Sequence, residues 1–237
     1  MKKRNQLLIV SIVAIIMLAC SALSQPSGSD QPSNPSDPSQ GQQQPPANLL
    51  FSDDFSVSPS NEMEEYNADD GSAGTSNGVY VVRSTGDLWQ WGRSNSSFDN
   101  VVVEVDAQMI QGPANNNSGF GVVCRLTEQA DTSVDGYMLA ISADGYYTIR
   151  SITASSMSPL VDWEYSSVVK QGSATNRIRA TCSGSELKLE VNGELIASAS
   201  TIAGGATSGS IAFAAISFET DEPIAEIHFD NLVVTKP

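Results

Sequence analysis

The sequence predicts an all-β protein built as a two-sheet antiparallel β-sandwich. Short runs rich in Val, Ile, Tyr and Phe recur after residue 49 and are separated by Gly, Ser, Asn and Asp. No stretch there has the i, i+3, i+4, i+7 apolar stripe of an amphipathic helix. Turn sequences such as "SADG" and "VNG" join several runs. Many short strands at such spacing are typical of a sandwich.

The N-terminus predicts export. Residues 2–4 are basic, residues 7–19 are almost entirely apolar, and Cys20 follows, which is the order of a secretory signal. The residues "MLAC" resemble the lipobox of bacterial lipoproteins. That resemblance implies cleavage before Cys20, lipidation of this cysteine, and a membrane-anchored protein facing the extracytoplasmic side. Secretion after Ser21 or Ser24 is an alternative, as is an apolar run retained as a membrane anchor.

With residues 1–20 taken as the signal peptide, residues 21–48 form a linker dominated by Pro, Ser and Gln. Its few apolar side chains cannot offset the entropy of ordering, so the linker is expected to be disordered. Residues 49–237 are long enough for one domain with its own core. They hold nine Lys and Arg against 25 Asp and Glu. This acidity disfavours nucleic acid as a partner and leaves the lipid anchor as the route to a membrane.

Twelve strands are predicted within this domain. In the clearest hairpin, Leu187, Leu189 and Val191 alternate with charged residues and precede Asn192-Gly193, a pair typical of a two-residue type I′ turn. The predicted strands, in order, are 50–55, 78–83, 87–91, 100–109, 119–126, 136–142, 146–151, 176–182, 186–191, 194–199, 209–216 and 224–234.

Six segments of the domain together resemble the concanavalin A-like lectin/glucanase superfamily. They are "LFSDDFS", "VVVEVDAQM", "GFGVVCRL", "GYMLAISADGYYTI", "NRIRATCSGSELKLEVNGELIA" and "IHFDNLVV". The likeness is closer to jelly-roll domains of exported bacterial proteins, of 3-keto-disaccharide hydrolases and of laminin-G-like modules. The resemblance implies a jelly roll over residues 49–235. It implies no single activity, since such folds serve as lectins, glycosidases, adhesion modules and spacers.

The resemblance offers one test for hydrolysis. One glycosidase branch of the superfamily carries Glu-x-Asp-x-x-Glu on a strand; here Glu104 and Asp106 fill the first two places and Met109 stands at the third. Retaining hydrolysis needs two carboxyl groups about 5 Å apart, so the sequence argues against this activity and identifies no catalytic residue. His228 is the single histidine and lies near no nucleophile motif or zinc-binding set.

Cys124 and Cys182 remain once Cys20 is assigned to lipid. Strand alternation turns both side chains toward the core, and an exported protein meets oxidising surroundings. We therefore predict a disulfide between them, with two buried free thiols as the alternative.

A polar face is predicted if the strands that carry it are neighbours. A sugar would suit its forked donors and its aromatic ring, although solvated cross-strand pairs give the same pattern. Trp89 and Trp91 also share a face, where they form either a stacking platform or part of the core. The members of the polar face are Glu104, Asp106, Gln108, Arg125, Tyr146 and Arg150.

The resemblance also implies a structural calcium ion where the first and last strands meet. Asp53 and Asp54 near the start and Asp230 near the end would supply oxygen ligands. These acids lack the dense spacing of a calcium-binding loop, and the alternative is a solvent-facing Asp230 beside a turn-forming Asn231. The sequence predicts no other cofactor.

Three functions follow as hypotheses. The first is a surface-anchored lipoprotein whose jelly roll binds a glycan or another cell-surface ligand without catalysis. The second is a glycoside-cleaving enzyme of the 3-keto-disaccharide hydrolase type, which would need two converging carboxyl groups. The third is a structural or adhesion module without a small ligand.

Overall fold

The computed structural model describes residues 47–86 and 88–237. The predicted signal, Cys20 and nearly all of the linker lie outside the described residues. Within them, strands are the only regular secondary structure, which confirms the all-β class. The described residues include no helix that could span a membrane. The strands are β1 (Leu49–Asp53), β2 (Tyr66–Ala68), β3 (Gly71–Ser76), β4 (Val79–Ser84), β5 (Gln90–Phe98), β6 (Val101–Gln111), β7 (Ser118–Glu128), β8 (Val134–Ser142), β9 (Tyr146–Thr153), β10 (Ser156–Tyr165), β11 (Asn176–Ser183), β12 (Glu186–Val191), β13 (Glu194–Ser200), β14 (Gly209–Ser217) and β15 (Ala225–Thr235).

The strands form two antiparallel sheets, as predicted. The nine-stranded sheet has the order β13-β12-β11-β6-β15-β4-β3-β2, with β1 paired to β15. The six-stranded sheet has the order β10-β9-β8-β7-β14-β5. Neighbouring strands β6 and β7 of the chain therefore belong to different sheets, which decides where several predicted site residues lie.

The core lies between the sheets and is built by simple alternation. On β6, Val103, Val105 and Ala107 are fully buried, while the residues between them face outward. The predicted hairpin joins β12 to β13, and positive φ angles of 53° at Asn192 and 87° at Gly193 fit its turn. Period-two patterning therefore places one face of each strand inside and leaves the other for function.

A disulfide joins the two sheets across this core. Cys124 on β7 and Cys182 on β11 are both fully buried, and their Cα atoms are 6.7 Å apart. The structure thus contains the predicted bridge rather than two free thiols.

Candidate functional site

The outer face of the six-stranded sheet carries a second apolar cluster, separate from the core. All three tryptophans of the chain pack against it: Trp89 directly before β5, Trp91 within β5, and Trp163 on β10. Each ring is half-buried. Trp89 and Trp91 therefore pack on this outer cluster and not in the core between the sheets. The buried members of the cluster are Val123, Leu126, Met138, Ala140, Ile152, Ala212 and Ala214.

Small residues form the floor beneath these rings. Cross-strand pairing sets Trp91 beside Ala214, Ala214 beside Gly121, and Gly121 beside Ala140. Gly119 lies one pair further along the same face, where an added Cβ would approach the Trp89 ring to 2.8 Å. Short side chains on the central strands thus leave room for large rings contributed from the edges.

Phe218, directly after β14, connects the tryptophans. Its ring centroid lies 5.9 Å from that of Trp89 and 5.7 Å from that of Trp163, and both pairs meet edge to face. Such geometry is favourable because the positive edge of one ring meets the negative face of the other. The three rings form a continuous aromatic surface across the sheet.

One end of this surface opens into a cleft of about 360 Å³, called the aromatic cleft below. Tyr146 and Phe218 are 39% and 37% exposed, so their rings are accessible to a ligand. Tyr146 is held from outside the cleft by an edge-to-face contact with Tyr165 at 5.7 Å. The cleft is lined by Asn117, Ser142, Asp144, Tyr146, Trp163 and Phe218.

The polar wall of the aromatic cleft comes from two turns. Ser142 and Asp144 belong to the β8–β9 turn, in which the Gly145 amide donates to the Ser142 carbonyl at 3.0 Å. The Ser142 hydroxyl donates to the Asp144 carboxylate. Partial burial raises the pKa of Asp144 above its ordinary value. The wall therefore holds a carboxylate whose hydrogen-bonding partner within the described residues is neutral.

Asn117 is fixed from behind by an acidic side chain. Its Nδ2 donates to Glu219 at 2.8 Å, and Asn115 donates to the same oxygen at 2.7 Å. These hydrogen bonds lower the pKa of the Glu219 carboxyl. The amide of Asn117 is thereby oriented at the rim, where its carbonyl oxygen can accept from a ligand hydroxyl.

The six residues of the predicted polar face do not share a face. Glu104, Asp106 and Gln108 lie on β6 in the nine-stranded sheet, whereas Tyr146 and Arg150 lie on β9 in the six-stranded sheet. The prediction assumed that the strands were neighbours, and the crossover between sheets after β6 makes that assumption wrong. Of the six, only Tyr146 lines the aromatic cleft.

The carboxylates of β6 are engaged in ion pairs. Glu104 lies 3.2 Å from Arg179, and Asp106 lies 3.4 Å from Arg177. Met109, at the position of the missing glutamate, is 4% exposed and points into the core. The motif Glu-x-Asp-x-x-Met therefore presents two arginine-paired acids on a face opposite to the tryptophans.

Arg125, also predicted to bind ligand, has a different position. It is 3% exposed and lies at a β-bulge of β7 with φ of 54°. Its guanidinium donates to the Asp99 carbonyl at 2.8 Å and to the Gly184 carbonyl at 2.9 Å. Arg125 is turned away from the aromatic surface and ties the end of β7 to turns leading into the other sheet.

The predicted calcium ligands lie where the first and last strands meet, and two of them accept hydrogen bonds from the protein. β1 pairs with β15, so the first and last strands meet as predicted. Asp53 accepts hydrogen bonds from a backbone amide and from Ser60 Oγ at 2.6 Å. Asp230 accepts from the following amide at 2.7 Å, and Arg177 lines the same cavity as Asp53 and Asp54. Within the described ranges, no group of three His, Cys, Asp or Glu side chains lies close enough together to hold a metal ion. Calcium also accepts backbone carbonyls and water as ligands, so the calcium site stays a prediction.

His228 lies on the outward side of β15, within 3.1 Å of Glu226. This is the solvated strand position that its alternation with Ile227 and Phe229 predicted.

The sequence reasoning did not identify most of the aromatic cleft. Trp163 lies on a strand that was not predicted, and Phe218 follows a predicted strand without belonging to it. Asp144 was recognised only as part of a turn. The spacing of Trp163 and Tyr165, two residues apart, was the available indication of an outer aromatic face on β10.

No protein-family model and no curated protein matches the chain. Solved structures do match. A carbohydrate-binding module, CBM66 from Bacillus subtilis, aligns with a TM-score of 0.57 at 14% identity over 74% of this chain and 98% of the module. The β-glucanase of Bacillus licheniformis gives 0.59 at 14% identity over 79% of this chain and 98% of the enzyme. A prokaryotic β-1,3-1,4-glucanase (lichenase) from a mouse hindgut metagenome gives 0.57 at 11% identity over 79% and 99%.

These alignments establish the fold. The chain shares the jelly-roll β-sandwich fold of these structures, which is the fold that the sequence motifs indicated. At such identities the neighbours' activities do not transfer with the fold, and the function has to be argued from the aromatic cleft itself.

Proposed function

We propose that the domain is a non-catalytic glycan-binding module and that the aromatic cleft holds the sugar. The observation that carries this proposal is the composition of the cleft: three aromatic rings face three polar side chains on the face that holds every tryptophan. Aromatic rings pack against the C–H faces of a pyranose, while carboxylate and amide groups bind its hydroxyls. The names of the structural neighbours, a carbohydrate-binding module and two glucanases, agree with this class of ligand.

The same geometry argues for binding rather than hydrolysis. Retaining hydrolysis requires two carboxyl groups about 5 Å apart, and inverting hydrolysis requires a pair about 6.5–9.5 Å apart. Asp144 is the one carboxylate among the residues that line the aromatic cleft. Glu104 and Asp106, the residues of the glycosidase-like motif, lie on the other sheet and are paired with arginines.

The proposal also includes display at the cell surface. The signal sequence and Cys20 would anchor the protein through lipid, and the Pro-rich linker would hold the domain away from the membrane. The acidic domain would gain nothing from anionic lipid headgroups.

A panel of oligosaccharides tests the function on the protein without its signal (residues 21–237), by calorimetry and by an assay for new reducing ends. We expect binding without turnover. Trp163→Ala should weaken the affinity about tenfold, since a lost stacking ring removes about 1.5 kcal/mol. The control is Leu195→Ala, an exposed apolar residue on β13 of the other sheet. Turnover at ordinary enzymatic rates would contradict the proposal, and a blank panel would favour a structural module.

A further inference from the structure

The described residues that line the aromatic cleft carry negative charge and no positive charge. Asp144 is its one charged lining residue, and no Lys or Arg contributes to the described lining. Glu219, directly behind Asn117, adds a second negative charge near the rim. Aromatic faces attract cations, because the π-system places negative charge there. Rings and carboxylate thus favour the same sign of ligand charge.

Several carboxylates of the domain are neutralised by arginine, and Asp144 is not among them. Glu64 and Glu128 share Arg93, and Glu190 pairs with Arg179. Among the described residues no ion pair includes Asp144, and its side-chain hydrogen bond comes from Ser142. A partly buried carboxylate without a cationic partner is stabilised by any cation that enters beside it.

We propose that the aromatic cleft selects a sugar unit bearing a positively charged amino group, with Asp144 as its counter-ion and the rings of Trp163, Phe218 and Tyr146 around it. This inference rests on the proposed function and narrows its ligand class from glycans in general to amino sugars with free amines. The ammonium would donate a charge-assisted hydrogen bond to the Asp144 carboxylate. Its remaining positive surface would face the aromatic rings.

The test uses two oligosaccharides that share backbone and length: a β-1,4-linked glucosamine oligomer with free amines, and its fully N-acetylated form, which is neutral. Calorimetry with residues 21–237 at mildly acidic pH, where the amines of the oligomer carry their protons, should give an affinity at least tenfold higher for the free amine. High salt should reduce that preference by screening. Asp144→Asn keeps the shape of the side chain and should abolish the preference. Asp69→Asn, which removes an exposed charge in the β2–β3 turn, should leave it unchanged.

Each outcome separates the two proposals. If both oligomers bind with equal affinity and Trp163→Ala weakens the binding of both, the selection for amines is overturned and the proposal of glycan binding is supported. Tighter binding of the acetylated form would do the same. A preference that survives in Asp144→Asn would overturn the role of Asp144. Absence of binding by either oligomer would overturn the amine selection, and a blank result with every other glycan as well would remove the proposed function.

Discussion

Trp163 and Phe218 meet with ring centroids 5.7 Å apart, although three strands separate β10 from β14 in the sheet. Four strand spacings in a flat sheet amount to about 19 Å. The contact therefore requires both side chains to lean over the central strands between them. The two rings thus meet above the central strands and form a site whose shape depends on the small residues beneath it.

Gly119→Ala should disturb this site without unfolding the domain. The new methyl group would lie 2.8 Å from the Trp89 ring and 2.9 Å from the Phe218 ring, so both rings must shift. We expect a stability loss of about 1 kcal/mol, altered near-ultraviolet circular dichroism and weaker glycan binding. Gly86→Ala is the matched control, because a Cβ there meets nothing within 4 Å. Unchanged spectra and affinity would show that the rings are not packed over Gly119.

Arg125→Ala should destabilise the fold and leave ligand affinity unchanged. The substitution removes two charge-assisted hydrogen bonds to the carbonyls of Asp99 and Gly184, which we expect to cost about 2–4 kcal/mol. Arg125→Lys keeps the charge but not the fork, and should recover only part of the loss. Urea unfolding together with calorimetry checks both statements. A change in ligand affinity with no change in the free energy of unfolding would instead show that Arg125 takes part in ligand binding.

Reduction of the disulfide should lower the free energy of unfolding substantially. Cys124 and Cys182 close a loop with a separation of 58 residues, which corresponds to about 4 kcal/mol on the chain-entropy model. Mass spectrometry after alkylation should show both thiols protected until a reductant is added. Labelling of both cysteines in denaturant alone would contradict the bridge, and the double variant Cys124→Ala with Cys182→Ala should melt like the reduced protein.

Asp144→Asn should stabilise the unliganded domain at neutral pH. The pKa of Asp144 is raised in the folded state above its ordinary value of 3.8, chiefly by burial. Between the ordinary pKa of 3.8 and the higher pKa in the folded state, the folded protein binds more protons than the unfolded chain. The free energy of unfolding therefore falls as pH rises through this window. The variant lacks this loss. The melting temperatures of the wild-type protein and the variant should therefore differ increasingly as pH rises from below 3.8 toward neutrality. A difference that stays constant at every pH would contradict the raised pKa of Asp144.

Cys20→Ala should release the protein from membranes. A lipidated cysteine would carry the acyl chains that hold the protein, and its loss should shift the protein from the membrane fraction to a soluble one. The wild-type protein, fractionated in parallel, is the reference. Unchanged fractionation would instead show that the apolar N-terminal run remains as the anchor.

Strands with strong alternation were predictable, and the weakly patterned ones were not. β6 and β12 follow the period of two because their inward residues are Val, Ala and Leu. β10 contains Pro159 and bulges against β9, features that edge strands tolerate and that hide a strand from pattern analysis. β3 is built from Gly, Ser, Ala and Thr, which have no distinctive periodicity.

The site was less predictable because it depends on contacts between distant strands. Alternation placed Trp89 and Trp91 on one face but could not say which sheet would carry Trp163. The predicted grouping of Glu104 with Tyr146 failed because it required their strands to be neighbours, and β6 and β9 belong to different sheets. Side-chain parity follows from local sequence, whereas the assignment of strands to sheets depends on the packing of the whole chain.

The arrangement of the strands gives the domain a direction. Leu50 and Lys236 line one cavity together with Phe98, so the chain enters and leaves the sandwich at the end where β5 ends. β14 begins there, since Gly209 pairs with Phe98, and it runs nine residues before the chain reaches Phe218. Nine residues of strand span about 30 Å. The aromatic cleft therefore lies at the end of the sandwich opposite to the point where the chain enters it, and a group attached at that point would leave the cleft uncovered.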